Sequence, residues 1–228
     1  METKLRFLLS TRYRSDIKGE LQKCIDAGLT HIHVDVFDGV FLDSPYALTF
    51  GPQMVKAISR RCPNLTLDIH LCVDRPSRFV KAMAEAGASR LIFQWEATDN
   101  NQLQSAIELA KRVNESGMKC GVSINPSTDV QEILPLLQTG LVDLVDVLAV
   151  EPGFGGQPFN PIALDKISQL KEWRDSSGVE LIVLVDGGIN RDTSKIVAEK
   201  GADVLVAGTA LFQHPSGMSE ALKDLNLP

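Results

Sequence analysis

The sequence predicts a single (β/α)8 barrel domain spanning residues 1–228. Three observations predict it. Eight short runs rich in Val, Ile and Leu recur along the chain, amphipathic segments lie between them, and a glycine closes the helical pattern just before several of the runs. Strands that alternate with helices imply a parallel sheet covered on its outer face. Eight units in 228 residues average about 28 residues each, which is a βα spacing. The rival, an open doubly wound sheet, would usually offer a Gly-rich dinucleotide turn after its first strand, and "LLSTRYRSD" is no such turn.

The runs are "LRFLLS" (5–10), "HIHVDV" (31–36), "LTLDIHL" (65–71), "RLIFQW" (90–95), "KCGVSIN" (119–125), "LVDVLAV" (144–150), "LIVLVDG" (181–187) and "VLVAGT" (204–209). The intervening "KGELQKCIDA", "SRFVKAMAEA", "NQLQSAIELAKRVNES" and "RDTSKIVAEK" repeat apolar residues at three- and four-residue steps, as a helix packed on one side requires. Gly28, Gly87, Gly117, Gly140, Gly178 and Gly201 stand where a left-handed cap residue is wanted. "DAGLTHIHV", "EAGASRLIF" and "EKGADVLVA" are near-copies of one helix-cap-strand phrase.

Composition narrows the class. Hydrophobic residues make up 44% and charged residues 23%, and Lys plus Arg 23 against Asp plus Glu 29 gives a formal net charge of −6. No basic stripe invites nucleic acid. No apolar stretch reaches the roughly 18 residues of a membrane span, and "METKLRFLLSTRYRSD" lacks the long apolar core of a secretory signal. Cys24, Cys62, Cys72 and Cys120 are scattered without a CxxC pair, which fits a reducing compartment and a cytoplasmic protein.

The second run carries the first chemical signal. Strand side chains alternate between faces, so His31, His33 and Asp35 share one face and Ile32, Val34 and Val36 the other. In a (β/α)8 barrel the active site lies at the C-terminal ends of the strands. The second strand brings His33 and Asp35 there, the third His70, and the seventh Asp186. Two imidazoles and two carboxylates suit one divalent transition-metal ion such as Fe2+, Zn2+, Mn2+ or Co2+. A lone buried His is more often hydrogen-bonded in a core. Four such groups at strand ends of one polarity favour a site. His31 lies deeper and reads as structural, His214 reads as surface, and Cys72 reads as cavity wall.

Glycine loops follow the last three strands: "EPGFGGQPF", with Gly153, Gly155 and Gly156; "DGGIN", with Gly187 and Gly188; and "AGTALF", with Gly208 and Thr209. Backbone N–H groups in such loops and at helix N-termini suit a phosphate, and a phosphate site after strands 7 and 8 recurs in this fold.

The phrases "HVDVFDGVF", "LTFGP", "LDIHLCV", "NPST", "VEPGFGGQPF", "VDGGIN" and "GADVLVAGTALF" appear in this order over nearly the whole chain. In them the chain resembles the ribulose-phosphate 3-epimerase family. The resemblance implies an isomerase of the pentose phosphate pathway that interconverts D-ribulose 5-phosphate and D-xylulose 5-phosphate by inversion at C3. It implies one divalent ion on His33, Asp35, His70 and Asp186, with Asp35 and Asp186 as the acid–base pair. It implies a phosphorylated ketose held by His70 and the glycine loops, and a homo-oligomer. At the place of the family's first-strand Ser stands Leu8, with Ser10 two residues later as the candidate substitute. Phe37, Cys72 and Leu148 stand where Met is common, Gln94 where His is common and Leu184 where Glu is common, and the loop after "VFDG" carries extra residues around "DSPYA". These departures keep two alternatives open: a 3-epimerase of a related substrate such as a ketohexose 6-phosphate, and a non-catalytic phosphate-binding barrel.

Overall fold

The computed structural model describes residues 4–8, 17–49, 51–98, 102–153 and 155–225. The described residues form eight strands: β1 (Lys4–Leu8), β2 (His31–Phe37), β3 (Thr66–Cys72), β4 (Arg90–Gln94), β5 (Lys119–Ile124), β6 (Leu144–Leu148), β7 (Ile182–Asp186) and β8 (Val204–Ala207). All neighbours pair in parallel and β1 pairs with β8, so the sheet is a closed barrel in chain order. Each strand falls within or beside a run that the apolar pattern marks.

The helices are α1 (Ile17–Asp26), α2 (Pro52–Arg61), α3 (Val80–Ala86), α4 (Gln102–Glu115), α5 (Val130–Leu137), α6 (Ile162–Ser177), α7 (Arg191–Lys200), α8 (Thr209–Phe212) and α9 (Met218–Asp224). Short 3-10 turns at Pro76–Arg78 and Trp95–Ala97 follow β3 and β4. The six glycines read as helix stops all take positive φ, between 67° and 114°, the region where a side chain is disfavoured.

Outward-facing strand residues such as Ile32, Val34, Ile69, Leu91, Phe93 and Val145 pack on helix residues such as Val55, Met83, Leu109 and Ile167, all fully or almost fully buried. This layer is the core. Inside the barrel, Ile92, Leu144, Leu184, Val204 and Val206 form a second apolar cluster on β4, β6, β7 and β8. Gly121 lets that cluster close. A Cβ there would stand 2.9 Å from Ile92 Cγ1 and 3.1 Å from Leu144 Cδ2. Near the strands' N-terminal ends, Arg90 is buried between Asp68 and Asp143, with both Asp143 oxygens on its Nη2. The remaining interior side, between β2, β3 and the ends of β6 and β7, is polar.

Candidate active site

The end of β2 is pinned by Thr49. Its hydroxyl donates to Asp35 O at 2.9 Å and accepts from Phe37 N at 2.8 Å. Asp38, three residues past Asp35, points elsewhere: its carboxylate accepts from Val40 N, Phe41 N and Asp74 N. It therefore ties the β2 loop to the end of β3. Of the two aspartates in "HVDVFDG", Asp35 faces the mouth and Asp38 holds the turn.

His33 is fully buried, and neither ring nitrogen has a hydrogen-bond partner that meets ordinary geometry. Two carboxylates nevertheless converge on its Nε2, Asp35 Oδ1 at 3.3 Å and Asp186 Oδ2 at 3.6 Å. His70 lies beside it, ring centroids 5.6 Å apart, with Nδ1 3.1 Å from Asp35 Oδ1. On its other side, His70 Nε2 is 2.8 Å from Gln94 Oε1. The Gln94 amide nitrogen donates to Glu96 Oε2 at 2.8 Å and to Asn125 Oδ1 at 2.6 Å. With those donors engaged, Gln94 Oε1 must accept, so His70 carries its proton on Nε2. In the neutral ring, Nδ1 then turns a lone pair toward the mouth. Glu96 is held in turn by Asn125 N and the Thr128 hydroxyl. Lys166 reaches over from α6 to the carbonyls of Asn125 and Thr128.

The two aspartates are driven apart electrostatically. Burial opposes charge on Asp35, but the His33 and His70 imidazoles crowded against it outweigh burial and hold its carboxyl below the usual aspartate range. Burial, reinforced by the charge of Asp35, pushes Asp186 up to about 8. Two like groups pushed in opposite directions suit the two halves of an acid–base exchange. Burial also pushes the Cys72 thiol up to about 11, so Cys72 is a neutral wall 3.4 Å from His70 Nε2.

A third acid at this mouth lies outside the set that the strand ends predict. Asp146, in the middle of β6, is wholly buried and neither oxygen makes a hydrogen bond of ordinary geometry. His33, His70, Asp146 and Asp186 offer donor atoms that all lie within 4.8 Å of one another, with Asp35 bridging the two imidazoles at the rim. Buried imidazoles and carboxylates, with His33 and Asp146 lacking a hydrogen bond of ordinary geometry, fit a divalent cation. The signal for Asp146 was available. In "LVDVLAV", period two puts it on one face with Leu144 and Leu148, an acid in an apolar row.

Above this group opens a cavity of about 440 Å³, lined by Asp35, His70 and Asp186 together with Gly153, Gly155, Gly156, Gly187, Gly188, Gly208 and Thr209. Its size is ordinary for a small-molecule site. Phe37, Cys72 and Leu148 form apolar wall. His33 and Asp146 sit deeper, outside the lining. Ser10 lies outside the described residues. His31 bonds Thr30 at 2.9 Å, and His214 packs against Asp224 at 3.2 Å, half-buried rather than on open surface.

A closed (β/α)8 barrel with a His/Asp mouth and glycine loops on the rim is of the class whose geometry suits a phosphorylated small molecule and a cation. The model of the ribulose-phosphate 3-epimerase family matches residues 6–212, and the chain belongs to that family. It is 40% identical over 194 residues to the ribulose-phosphate 3-epimerase of Bacillus subtilis, covering 85% of this chain and 84% of the relative. It is 36% identical over 213 residues to that of Schizosaccharomyces pombe, covering 92% and 87%. Among solved structures, a 3-keto-L-gulonate-6-phosphate decarboxylase from Vibrio cholerae superposes with a TM-score of 0.70 at 16% identity, covering 99% of this chain and 98% of that one. That likeness concerns the fold.

Proposed function

We propose that this isomerase interconverts D-ribulose 5-phosphate and D-xylulose 5-phosphate by a two-base inversion at C3, with one divalent ion on His33, Asp35, His70 and Asp186. The observation that carries the reading is the pair of carboxylates meeting at His33 Nε2, 3.3 and 3.6 Å away, both on the wall of the glycine-rimmed cavity. Inversion requires a proton taken from one face of C3 and returned to the other, and a single base serves both faces poorly. Ionised Asp35 takes the proton and protonated Asp186 returns one to the opposite face; in the reverse direction the roles exchange. Each positioned group contributes roughly 10²–10⁴-fold. A bound divalent ion supplies several kcal/mol of charge stabilisation as the C2 oxygen becomes an enediolate. His33 and His70 orient the two acids, and the glycine loops hold the phosphate so that C3 stays between them. The donor set is compatible with Fe2+, Mn2+, Co2+ or Zn2+. The four cysteines, all free and buried, support a cytoplasmic home.

Asp35→Asn and Asp186→Asn are each expected to abolish turnover while inorganic phosphate still binds. Near-native turnover in either variant refutes the two-base scheme. A second reading, a ketohexose 6-phosphate as substrate, is favoured by Phe37, Cys72 and Leu148 on the cavity wall. Side-by-side assay of pentulose and ketohexose phosphates decides between them.

A further inference from the structure

The proposed reaction leaves one carboxylate at the same mouth without a role. Asp146 is fully buried, and neither oxygen makes a hydrogen bond of ordinary geometry, although the Ser123 hydroxyl stands beside it. Its inward neighbours along β6 are Leu144 and Leu148, and across the sheet it is in register with Ser123 on β5 and Leu184 on β7. It faces the mouth itself: Oδ2 lies 3.8 Å from His70 Nδ1, the nitrogen whose lone pair Gln94 turns inward, so a cation placed between the two would meet both. Keeping a carboxylate ionised in such surroundings costs several kcal/mol unless a positive partner meets it.

We propose that Asp146 is a fifth protein donor to the cation, so that the centre carries three carboxylates and two imidazoles; the inference rests on the metal centre proposed above. The geometry supports it, since Asp146 shares the 4.8 Å cluster with His33, His70 and Asp186. The chemistry has a direction. A third carboxylate makes the set harder and richer in oxygen, which suits Mn2+. Zn2+ is content with four donors and gains less. Leu184 stands beside Asp146 in the register, so the carboxylate is carried on β6 where β7 has an apolar side chain.

The test uses the full chain stripped of metal by a chelator, as wild type, Asp146→Asn and Asp146→Leu. Mn2+ and Zn2+ affinities are measured by calorimetry, and the visible spectrum of the Co2+ form is recorded. Both variants are expected to lose Mn2+ affinity by at least roughly tenfold and Zn2+ affinity by less. Their Co2+ bands should intensify as the coordination number falls. Stripped Asp146→Leu should melt no lower than stripped wild type, because an apolar group replaces a buried acid that has no cation to meet it. That melting curve also establishes that the variant is folded. Unchanged Mn2+ affinity and Co2+ spectrum in both variants overturn the fifth donor and leave the four-donor centre standing. No binding of any of these ions to wild type removes the centre itself, and this inference with it.

Discussion

Gln94 decides which nitrogen of His70 faces the mouth. Its oxygen takes the Nε2 proton while its nitrogen is engaged by Glu96 and Asn125. Gln94→Leu removes that acceptor and leaves buried partners unsatisfied, at about 1–3 kcal/mol for each orphaned group. Metal affinity should fall roughly 10–100-fold, as for other groups that orient a ligating imidazole. A Mn2+ titration reads this, and wild-type affinity would count against the relay. At this scale the sequence was partly legible. His33, Asp35, His70 and Asp186 could be found because period-two alternation exposes polar groups in apolar strands, and strand ends have a known polarity. Asp146 obeys the same alternation but sits in mid-strand, where attention to strand ends passes over it. The Gln94 relay was not legible at all, since its members lie on β3, β4 and the turns after β4 and β5, and only the register brings them together.

Among the elements, the loop after β7 shows how tightly the rim is built. Gly188 has φ +68°, and a Cβ there would stand 2.5 Å from the Phe159 Cα of the preceding loop. The Thr193 hydroxyl and the Asn190 amide both donate to its carbonyl, and Asn190 caps α7. Gly188→Ala therefore combines about 1–2 kcal/mol of left-handed strain with a backbone clash. It should lower the melting temperature and raise KM for the sugar phosphate more than it lowers kcat. An unchanged KM would detach this loop from phosphate binding. Helix stops were readable because a positive φ is a local demand that glycine answers. Three helices were harder to read. α5, "VQEILPLL", has no continuous polar face and contains Pro135. The buried stripe of α6 runs Ala163, Lys166, Ile167 and Leu170, and a lysine within it blurs the pattern. α2 buries only Val55 and Ile58.

The three most exposed large apolar side chains among the described residues lie on one loop beside the mouth. Val40, Tyr46 and Leu48, on the loop after β2, are 63%, 86% and 58% exposed, and Tyr46 also borders the cavity. We propose that copies of the chain associate through this loop. Sedimentation of wild type should then give a multiple of one chain's mass, and a variant with Tyr46→Asp and Leu48→Asp should fall toward a single chain. A wild-type monomer, or a double variant of unchanged mass, would sink that proposal. No helix among the described residues is long and apolar enough to cross a membrane. The bond between β1 and β8 bears on how copies can meet. A sheet joined to itself leaves no row of open amide and carbonyl groups along which a foreign backbone could zip. Contact between molecules therefore has to be written in side chains, and growth of a fibril by adding strands finds no template while the fold stays shut.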